Sequence, residues 1–352
     1  MESSCCQPVQ SSKSGKNTRK TRQRKARINR KKLSRVLLSN VGEVIKEKLS
    51  EVDKESKSAK QIANGYFYKW KITMEENKKL LCAKSVNLQI DIPRSMLIKK
   101  DLLEIEKDKM IGKGTFGRCF KGTYKDITVC LKFFNKKYLT KTQIEREVKT
   151  MLGLTPHPSL PLLLGVCMEP EPILVTKFIG FNQEALTLDN LSRKMPEKCT
   201  EMCSPDHLIL TMLQGLHAVH HSGYIHNDIK PNNILVEVKG DHLNAVIIDY
   251  GKSCVHHKGI FYKLQNETDK QNHLKRYPHL APELVYGDSP QSIFTDVYSM
   301  GYTVKTVLSA KFGGNFSYLK DISQSSMSRH SCNRPGLSYL IDYLSRKTRC
   351  QV

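Results

Sequence analysis

The stretch Tyr224–Val236, which reads YIHNDIKPNNILV, carries polar residues of types that could act together in chemistry. Apolar residues lead into a polar loop, Pro231 restricts the backbone, and an apolar run resumes as a short buried strand. Asp228, Lys230 and Asn233 thus project from one braced turn. Such a turn could hold a carboxylate near a hydroxyl, a cation near a phosphate and an amide oxygen near a metal ion. Phosphoryl transfer needs these groups, because its catalysis consists mostly of positioning and charge stabilisation.

This stretch resembles the catalytic loop of the eukaryotic protein kinases, in which histidine, arginine and aspartate precede a lysine, a proline and an asparagine. Asn227 stands here in place of the arginine. The resemblance implies that Asp228 orients the substrate hydroxyl and accepts its proton, and that Lys230 offsets charge on the γ-phosphoryl group. It also implies that Asn233 binds Mg²⁺.

A glycine-rich segment lies upstream, where Ile111–Gly117 reads IGKGTFG. Glycines let a backbone turn tightly and bring its N–H groups close to phosphates. A dinucleotide-binding fold shares this pattern, but it would open a helix here, with an acidic residue about 20 positions on. Instead a β-like run, Ile127–Phe134, follows, and it resembles the kinase strand whose lysine, here Lys132, contacts the α- and β-phosphates of ATP. The loop implied to cover the phosphates starts at Ile111 and contains Gly112, Gly114 and Gly117.

Two carboxylates complete the ATP site that the resemblance implies. Lys141–Leu152 is predicted to form a helix, in which Glu147 is the expected ion-pair partner of Lys132 and Glu145 the second candidate. Such a pair keeps the lysine charged, since burial without a partner favours its neutral form. Asp249 is predicted to lie exposed at the end of an apolar strand, in the sequence Asp-Tyr-Gly. As the counterpart of the kinase Asp-Phe-Gly aspartate, it would bind Mg²⁺.

The resemblance also implies an adenine pocket. Thr176 would line its back and Phe178 would lie at the hinge between two lobes. Cys119 and Cys130 would form its roof, where kinases usually have valine and alanine, and Leu235 would form its floor. Cysteine packs as a small hydrophobic residue, so adenine binding should survive these changes. We expect bound ATP to protect both thiols from alkylation.

Downstream motifs continue the resemblance. Leu280–Glu283 matches the Ala-Pro-Glu motif that closes the kinase activation segment, and Arg334 is the expected ion-pair partner of Glu283. Asp296 matches the aspartate that anchors the catalytic loop. Arg276 is a departure, because serine/threonine kinases usually have a threonine there, which puts the substrate-facing surface in doubt.

The match extends over about residues 105–340 and implies an α+β, two-lobed protein-kinase fold, with a small β-rich N-lobe and a larger helical C-lobe. We predict a basic, largely disordered tail with a short helix at 1–60, an N-terminal extension at 61–100 and the kinase domain at 101–348.

The predicted tail carries a dense positive charge. Lys13–Arg35 holds twelve basic residues in twenty-three and no acidic residue. Such a segment buries too little apolar surface to fold alone. It could bind a nuclear-import receptor, a nucleic acid or another polyanion, or anionic lipid, or it could be a solvated tail without a dedicated partner. The run contains no aromatic residue, which argues against base stacking.

Composition favours an intracellular protein of the nucleus, the cytoplasm or both. No apolar run approaches the roughly 18 residues of a transmembrane helix, and the first residues lack the apolar core of a secretory signal. The eleven cysteines show no paired framework. Cys199, Cys203 and His207 could supply three zinc ligands, but no fourth lies at a convincing spacing, so an ordinary linker is the preferred interpretation.

Together these features predict an ATP- and Mg²⁺-dependent protein kinase that acts on serine and threonine hydroxyls of protein substrates. Lys230 favours serine/threonine specificity, because tyrosine kinases usually lack it. Asn227 provides no guanidinium to bind a phosphate on the activation segment, so activity should not need phosphorylation there. The alternative is a catalytically weak, kinase-like scaffold that its basic tail localises.

Overall fold

The computed structural model describes residues 92–349, with gaps at 115, 136, 138, 181–182, 195–203, 240–241, 263, 265 and 310–315. The predicted tail with its short helix, and most of the predicted extension, therefore lie outside the described residues, as do Cys199 and Cys203. The third candidate zinc ligand, His207, instead contacts Oδ1 of Asn244 through Nε2, at 2.7 Å. Among the described residues, no helix combines the length and the apolar character that crossing a membrane requires.

The N-terminal lobe is built on a five-stranded antiparallel sheet. Its strands are β1 (Leu103–Gly114), β2 (Gly117–Tyr124), β3 (Ile127–Phe134), β4 (Leu163–Cys167) and β5 (Ile173–Lys177), and they lie in the order β1-β2-β3-β5-β4. On β3 the alternation of side chains places Val129 and Leu131 in a buried cluster on one face of the sheet. Cys130 and Lys132 therefore point to the opposite face.

One long helix, α1 (Lys141–Gly153), accompanies this sheet. It begins at a capping box, in which the Thr140 hydroxyl accepts the N–H of Gln143 and the Gln143 side chain accepts the N–H of Thr140. Its inward face is apolar except for two residues, and the buried set is Ile144, Glu147, Val148, Thr150, Met151 and Leu152. The helix therefore presents the carboxylate of Glu147 to the interior.

The C-terminal lobe is mainly helical. Its helices are α2 (Leu191–Lys194), α3 (Pro205–His221), α4 (Glu267–Arg276), α5 (Pro282–Tyr286), α6 (Ile293–Ser309), α7 (Ser317–Ser326) and α8 (Leu337–Arg349). Four short strands lie between α3 and α4, namely β6 (Tyr224–Ile225), β7 (Ile234–Lys239), β8 (His242–Ile247) and β9 (Cys254–Val255). β6 pairs with β9 and β7 pairs with β8, both antiparallel.

Helix α3 lies at the centre of this lobe, in contact with β8, α6 and α8. Ser204 caps its first turn, Pro205 is its first residue, and the helix ends at His221, with Ser222 as its C-cap. Gly223 follows with φ of 86°, a left-handed conformation that glycine adopts without steric cost. This turn directs the chain through β6 into the polar loop His226–Asn233.

The two lobes share one buried apolar cluster. It includes Phe134 of β3, Val148 of α1 and Leu213 of α3. The architecture confirms the predicted α+β organisation, in which a small sheet-based lobe joins a larger helical one.

Candidate active site

Lys132 lies in an ion-pair cluster between the two lobes. Its Nζ is 2.6 Å from Oε1 of Glu147 on α1 and 2.8 Å from Oδ1 of Asp249 in the other lobe. Burial by itself disfavours the charged lysine, but the carboxylates of Glu147 and Asp249 outweigh this effect and raise the pKa of Lys132. The ammonium group therefore stays charged, and its position depends on both lobes.

Asp296 of α6 holds the backbone of the polar loop. Its carboxylate accepts the N–H groups of His226, at 2.7 Å, and Asn227, at 2.9 Å. It also contacts Nε2 of His220, at 2.9 Å. Because Asp296 is almost fully buried, these bonds satisfy a carboxylate that has little access to water. The structure thus places Asp296 where the sequence predicts an anchor for the loop.

Three side chains bind the carboxylate of Asp228. Its Oδ2 accepts hydrogen bonds from Nζ of Lys230, at 2.9 Å, and from Nδ2 of Asn233, at 3.0 Å. Its Oδ1 accepts one from Nζ of Lys252, at 2.9 Å. Burial alone would raise the pKa of Asp228, but Lys252 and Lys230 outweigh it and lower that pKa to about 2. Asp228 is therefore ionised at neutral pH and able to accept a hydrogen bond.

No motif in the sequence singles out Lys252. It follows the Asp-Tyr-Gly sequence directly, and a lone cation in a turn gives no indication of where its side chain points. Its backbone carbonyl accepts a hydrogen bond from Nδ2 of Asn227, at 3.1 Å, and the same nitrogen contacts Sγ of Cys254, at 3.3 Å. The residue that replaces the usual arginine therefore helps to position the turn that carries Lys252.

Asp249 lies two residues beyond the end of β8 and is half-buried, so the predicted exposed position at the end of a strand is wrong. The reason is the packing of Tyr250, whose side chain is buried. The Tyr250 hydroxyl donates to the backbone oxygen of Ile247, at 3.0 Å, and its ring lies 5.0 Å from that of His226. Asp249 itself has φ of 68°, a left-handed conformation that Asp adopts more readily than most residues.

Asn233 and Asp249 supply oxygen atoms that suit Mg²⁺. Nδ2 of Asn233 donates to the backbone oxygen of Asp228, at 2.9 Å, as well as to its carboxylate, so Oδ1 is the atom with which Asn233 can bind a metal ion. Asp249 contacts Lys132 through Oδ1, which leaves Oδ2 as its second oxygen. Mg²⁺ prefers oxygen ligands and often takes one or two protein side chains together with substrate phosphates. The two residues fit that ion.

The glycine-rich segment joins β1 to β2. Gly112 and Gly114 lie at the end of β1, Gly117 starts β2, and Ile111 lies at an irregularity in the pairing of the two strands. A Cβ atom on Gly117 would overlap the backbone carbonyl oxygen of Phe133. Glycine at this position therefore permits the close approach of β2 to β3.

Most of the residues predicted to contact adenine lie on three neighbouring strands. The strand register pairs Cys119 with Lys132, and Cys130 with Thr176. The thiol of Cys130 contacts that of Cys119 and lowers the pKa of the latter. Phe178 follows β5 directly, whereas Leu235 lies on β7 of the other lobe. The predicted roof and floor thus come from different lobes.

A basic segment follows Lys252 and contains a helix that the sequence patterns do not predict. The side chain of Asn266 caps α4 by accepting the N–H of Asp269, at 2.7 Å, and none of the ten helix residues is buried. Arg276, which replaces the usual threonine, is the last residue of α4 and is exposed. Its guanidinium lies 5.4 Å from the ring centre of Tyr277.

His279 lies just beyond α4 and close to the polar loop. Burial lowers the pKa of its imidazole to about 4. The charges of Asp228, Lys230 and Lys252 also act on this imidazole. The backbone oxygen of His279 accepts a hydrogen bond from the Ser299 hydroxyl, at 2.7 Å, which ties this stretch to α6.

A buried ion pair between Glu283 and Arg334 lies at the end of the predicted activation segment. Two nitrogens of Arg334 donate to the two carboxylate oxygens of Glu283, at 2.5 and 2.7 Å. Nε of Arg334 also donates to the backbone oxygen of Ser328, at 2.9 Å. This bidentate contact is the one expected from the sequence, and it fixes the start of α5 against the loop before α8.

Comparisons with known proteins agree with this geometry. The family model described as the protein kinase domain matches residues 105–333. Receptor-interacting serine/threonine-protein kinase 3 of Rattus norvegicus is 31% identical over 216 residues, which are 59% of this chain and 42% of that protein. A probable CTD kinase subunit alpha homolog of Encephalitozoon cuniculi is 29% identical over 234 residues, which are 65% of this chain and 64% of that protein.

A further relative, the dual specificity protein kinase shkC of Dictyostelium discoideum, is 26% identical over 216 residues, or 59% of this chain. The aligned part of this chain spans 39% of that relative. In each of these three comparisons the chain thus spans less than two thirds of the relative's length. The family model matches the chain from within β1 to the loop before α8, a range that includes Lys132, Asp228 and Asp249.

Proposed function

The chain belongs to the protein kinase family, and from this premise we propose that it transfers the γ-phosphate of ATP to serine or threonine hydroxyls of protein substrates, with Mg²⁺. One observation carries the proposal. The five polar residues that the chemistry requires are all present between the lobes and form two groups. In the first group, Lys132 forms ion pairs with Glu147 and Asp249. In the second, Asn233 donates a hydrogen bond to Asp228.

Each residue has a distinct role in this proposal. Lys132, held by Glu147, binds the phosphates of ATP under the glycine-rich loop. Asp228 orients the substrate hydroxyl and accepts its proton, and Lys230 offsets charge on the γ-phosphoryl group. Asn233 and Asp249 hold Mg²⁺, which when bound neutralises charge on the phosphate oxygens.

Lys230 supports the choice of serine and threonine, since its Nζ lies 2.9 Å from Asp228, beside the site where the hydroxyl would bind. Of the three relatives, one is named a serine/threonine-protein kinase and another is described as a dual specificity protein kinase. Phosphoamino-acid analysis of the product distinguishes serine/threonine specificity from dual specificity.

We also propose that activity does not depend on phosphorylation of the activation segment. Asn227 reaches the backbone of Lys252 without any phosphate, and Lys252 in turn binds Asp228. These contacts hold the turn after Gly251 in place without a phosphate group. A contact between a phosphate and an arginine is therefore not needed to order this turn.

The decisive experiment measures γ-phosphate transfer from ATP-Mg by the full chain, by Asp249→Ala and by the surface control Asp342→Ala. We expect transfer to be lost in Asp249→Ala alone, with phosphoserine or phosphothreonine as the product. ATP binding without transfer in the unmodified chain would overturn the proposal and favour a kinase-like scaffold. Phosphotyrosine as the sole product would overturn the serine/threonine part.

A further inference from the structure

The hydrogen bonds of Asp228 determine where a substrate hydroxyl can bind. A carboxylate oxygen offers two acceptor positions. On Oδ2 both are taken, by Lys230 and Asn233. On Oδ1 Lys252 takes one, and the other can accept a hydroxyl. An acceptor residue on Oδ1 would therefore lie next to the ammonium group of Lys252.

Lys252 has capacity for a second partner. An ammonium group has three N–H donors, and one of them is used by Oδ1 of Asp228. The Lys252 side chain is 45% exposed, against 30% for Lys230, so it is the more open of the two cations. Asn227 holds its backbone, which limits the freedom lost when a substrate binds.

The stretch of chain that begins at Lys252 is rich in positively charged residues. Residues 252–282 contain six Lys and Arg and two Asp and Glu. Both acidic residues lie in the first turn of α4, whereas His273, Lys275 and Arg276 lie in its last turn. That last turn leads directly to His279, which is close to Asp228. The part of the chain between Lys252 and His279 therefore carries a net positive charge.

From this arrangement we infer that the protein selects substrates with an anionic side chain beside the acceptor serine or threonine, and that Lys252 recognises the anion. The inference rests on the proposed function and adds its substrate class. Carboxylate and phosphate both supply the required charge, so an acidic residue and a phosphorylated residue are alternative sources of it.

The test uses the full chain and peptide mixtures that contain one serine and random flanking residues. In each mixture one flanking position is fixed as glutamate, phosphoserine or glutamine. The values of kcat/KM are compared between the three mixtures that share that fixed position. We expect glutamate or phosphoserine to be preferred over glutamine by about two- to fivefold at one or more positions, the range that an accessible ion pair supplies. The mixture that shows the preference identifies the source of the anion.

Three variants locate the recognition. Lys252→Met should reduce the preference to about onefold. Lys252→Arg, which keeps the charge, should retain it, and so should Lys305→Met, which removes an exposed charge from α6. A ratio between two mixtures is unaffected by a general loss of active protein, so it separates recognition from structural damage. Equal use of all mixtures by the unmodified chain, or an unchanged ratio in Lys252→Met, would overturn the inference alone. Absence of any transfer, including autophosphorylation, would overturn the proposed function and the inference with it.

Discussion

The side-chain amide of Asn227 donates a hydrogen bond to the backbone carbonyl of Lys252, at 3.1 Å, and thereby connects the polar loop to the turn that follows Gly251. Lys252 returns the contact by binding Asp228, the next residue after Asn227. The polar loop and the start of the activation segment are thus joined twice within the unphosphorylated chain.

This double connection predicts that dephosphorylation leaves activity intact. Protein treated with a broad-specificity phosphatase, with removal of phosphate verified by mass spectrometry, should transfer γ-phosphate at the same initial rate as untreated protein. The assay must be short, because autophosphorylation could restore phosphate. A rate that falls on treatment and recovers with autophosphorylation would contradict this prediction.

Replacing Lys132 by methionine should lower kcat/KM by about 100-fold or more, because a charged donor aimed at developing negative charge is lost. The exposed Lys141→Met at the start of α1 is a matched control and should retain full activity. Far-ultraviolet circular dichroism establishes that both variants are folded. Near-normal turnover by folded Lys132→Met would show that Lys132 does not bind the phosphates.

The Glu283–Arg334 ion pair should contribute strongly to the free energy of unfolding. Arg334→Met leaves the Glu283 carboxylate buried without its partner and should lower the free energy of unfolding by about 3 to 5 kcal/mol. Urea titration measures this change, with the exposed Arg346→Met as a control that should alter it by less than about 0.5 kcal/mol. The double variant that combines Arg334→Met with Glu283→Gln should lose less unfolding free energy than the sum of the losses in the two single variants, since the residues act as a pair.

His279 predicts a loss of stability on acidification. Its folded-state pKa of about 4 lies below the ordinary value of 6.5, so the unfolded chain binds this proton more readily. The contribution of neutral His279 is therefore complete above the ordinary pKa and is lost as pH falls towards 4. When the pH is lowered from about 7 to about 5, the free energy of unfolding should fall more for the unmodified chain than for His279→Gln. An identical difference in both proteins would mean that His279 is not buried in its neutral form.

ATP-Mg should protect the thiols of Cys119 and Cys130 from iodoacetamide, because both cysteines lie on strands of the predicted adenine roof. Contact with Cys130 lowers the pKa of Cys119, so Cys119 should be alkylated first in the absence of ATP. Cys332 is exposed and provides an internal control whose labelling ATP should not change. Equal labelling of the two strand cysteines with and without saturating ATP-Mg would rule out their position in the pocket.

Local sequence patterns were sufficient to select residues that the structure brings together between the lobes. Lys132, Asp228 and Asn233 each lie within a short motif whose neighbours define the strand or turn around them. The helix that carries Glu147 was also predictable, because its apolar residues recur at helical spacing. These features depend on residues that are close in the chain, where spacing and residue type carry the information.

Helix α4 shows an intermediate case. Its cap at Asn266, its acidic first turn and its basic last turn are all legible in the sequence. It has no buried face, however, so the apolar periodicity that usually reveals a helix is absent.

The sequence by itself determined the family, the two-lobed fold and the types of the groups that the proposed reaction uses. The tertiary structure alone decided that Lys132 meets Asp249, 117 positions away, and that Lys252 points at Asp228. The direction of Lys252 depends on the insertion of Tyr250 beneath His226 and on the hydrogen bond from Asn227. These are contacts between segments distant in the chain, and their geometry arises only when both lobes have packed.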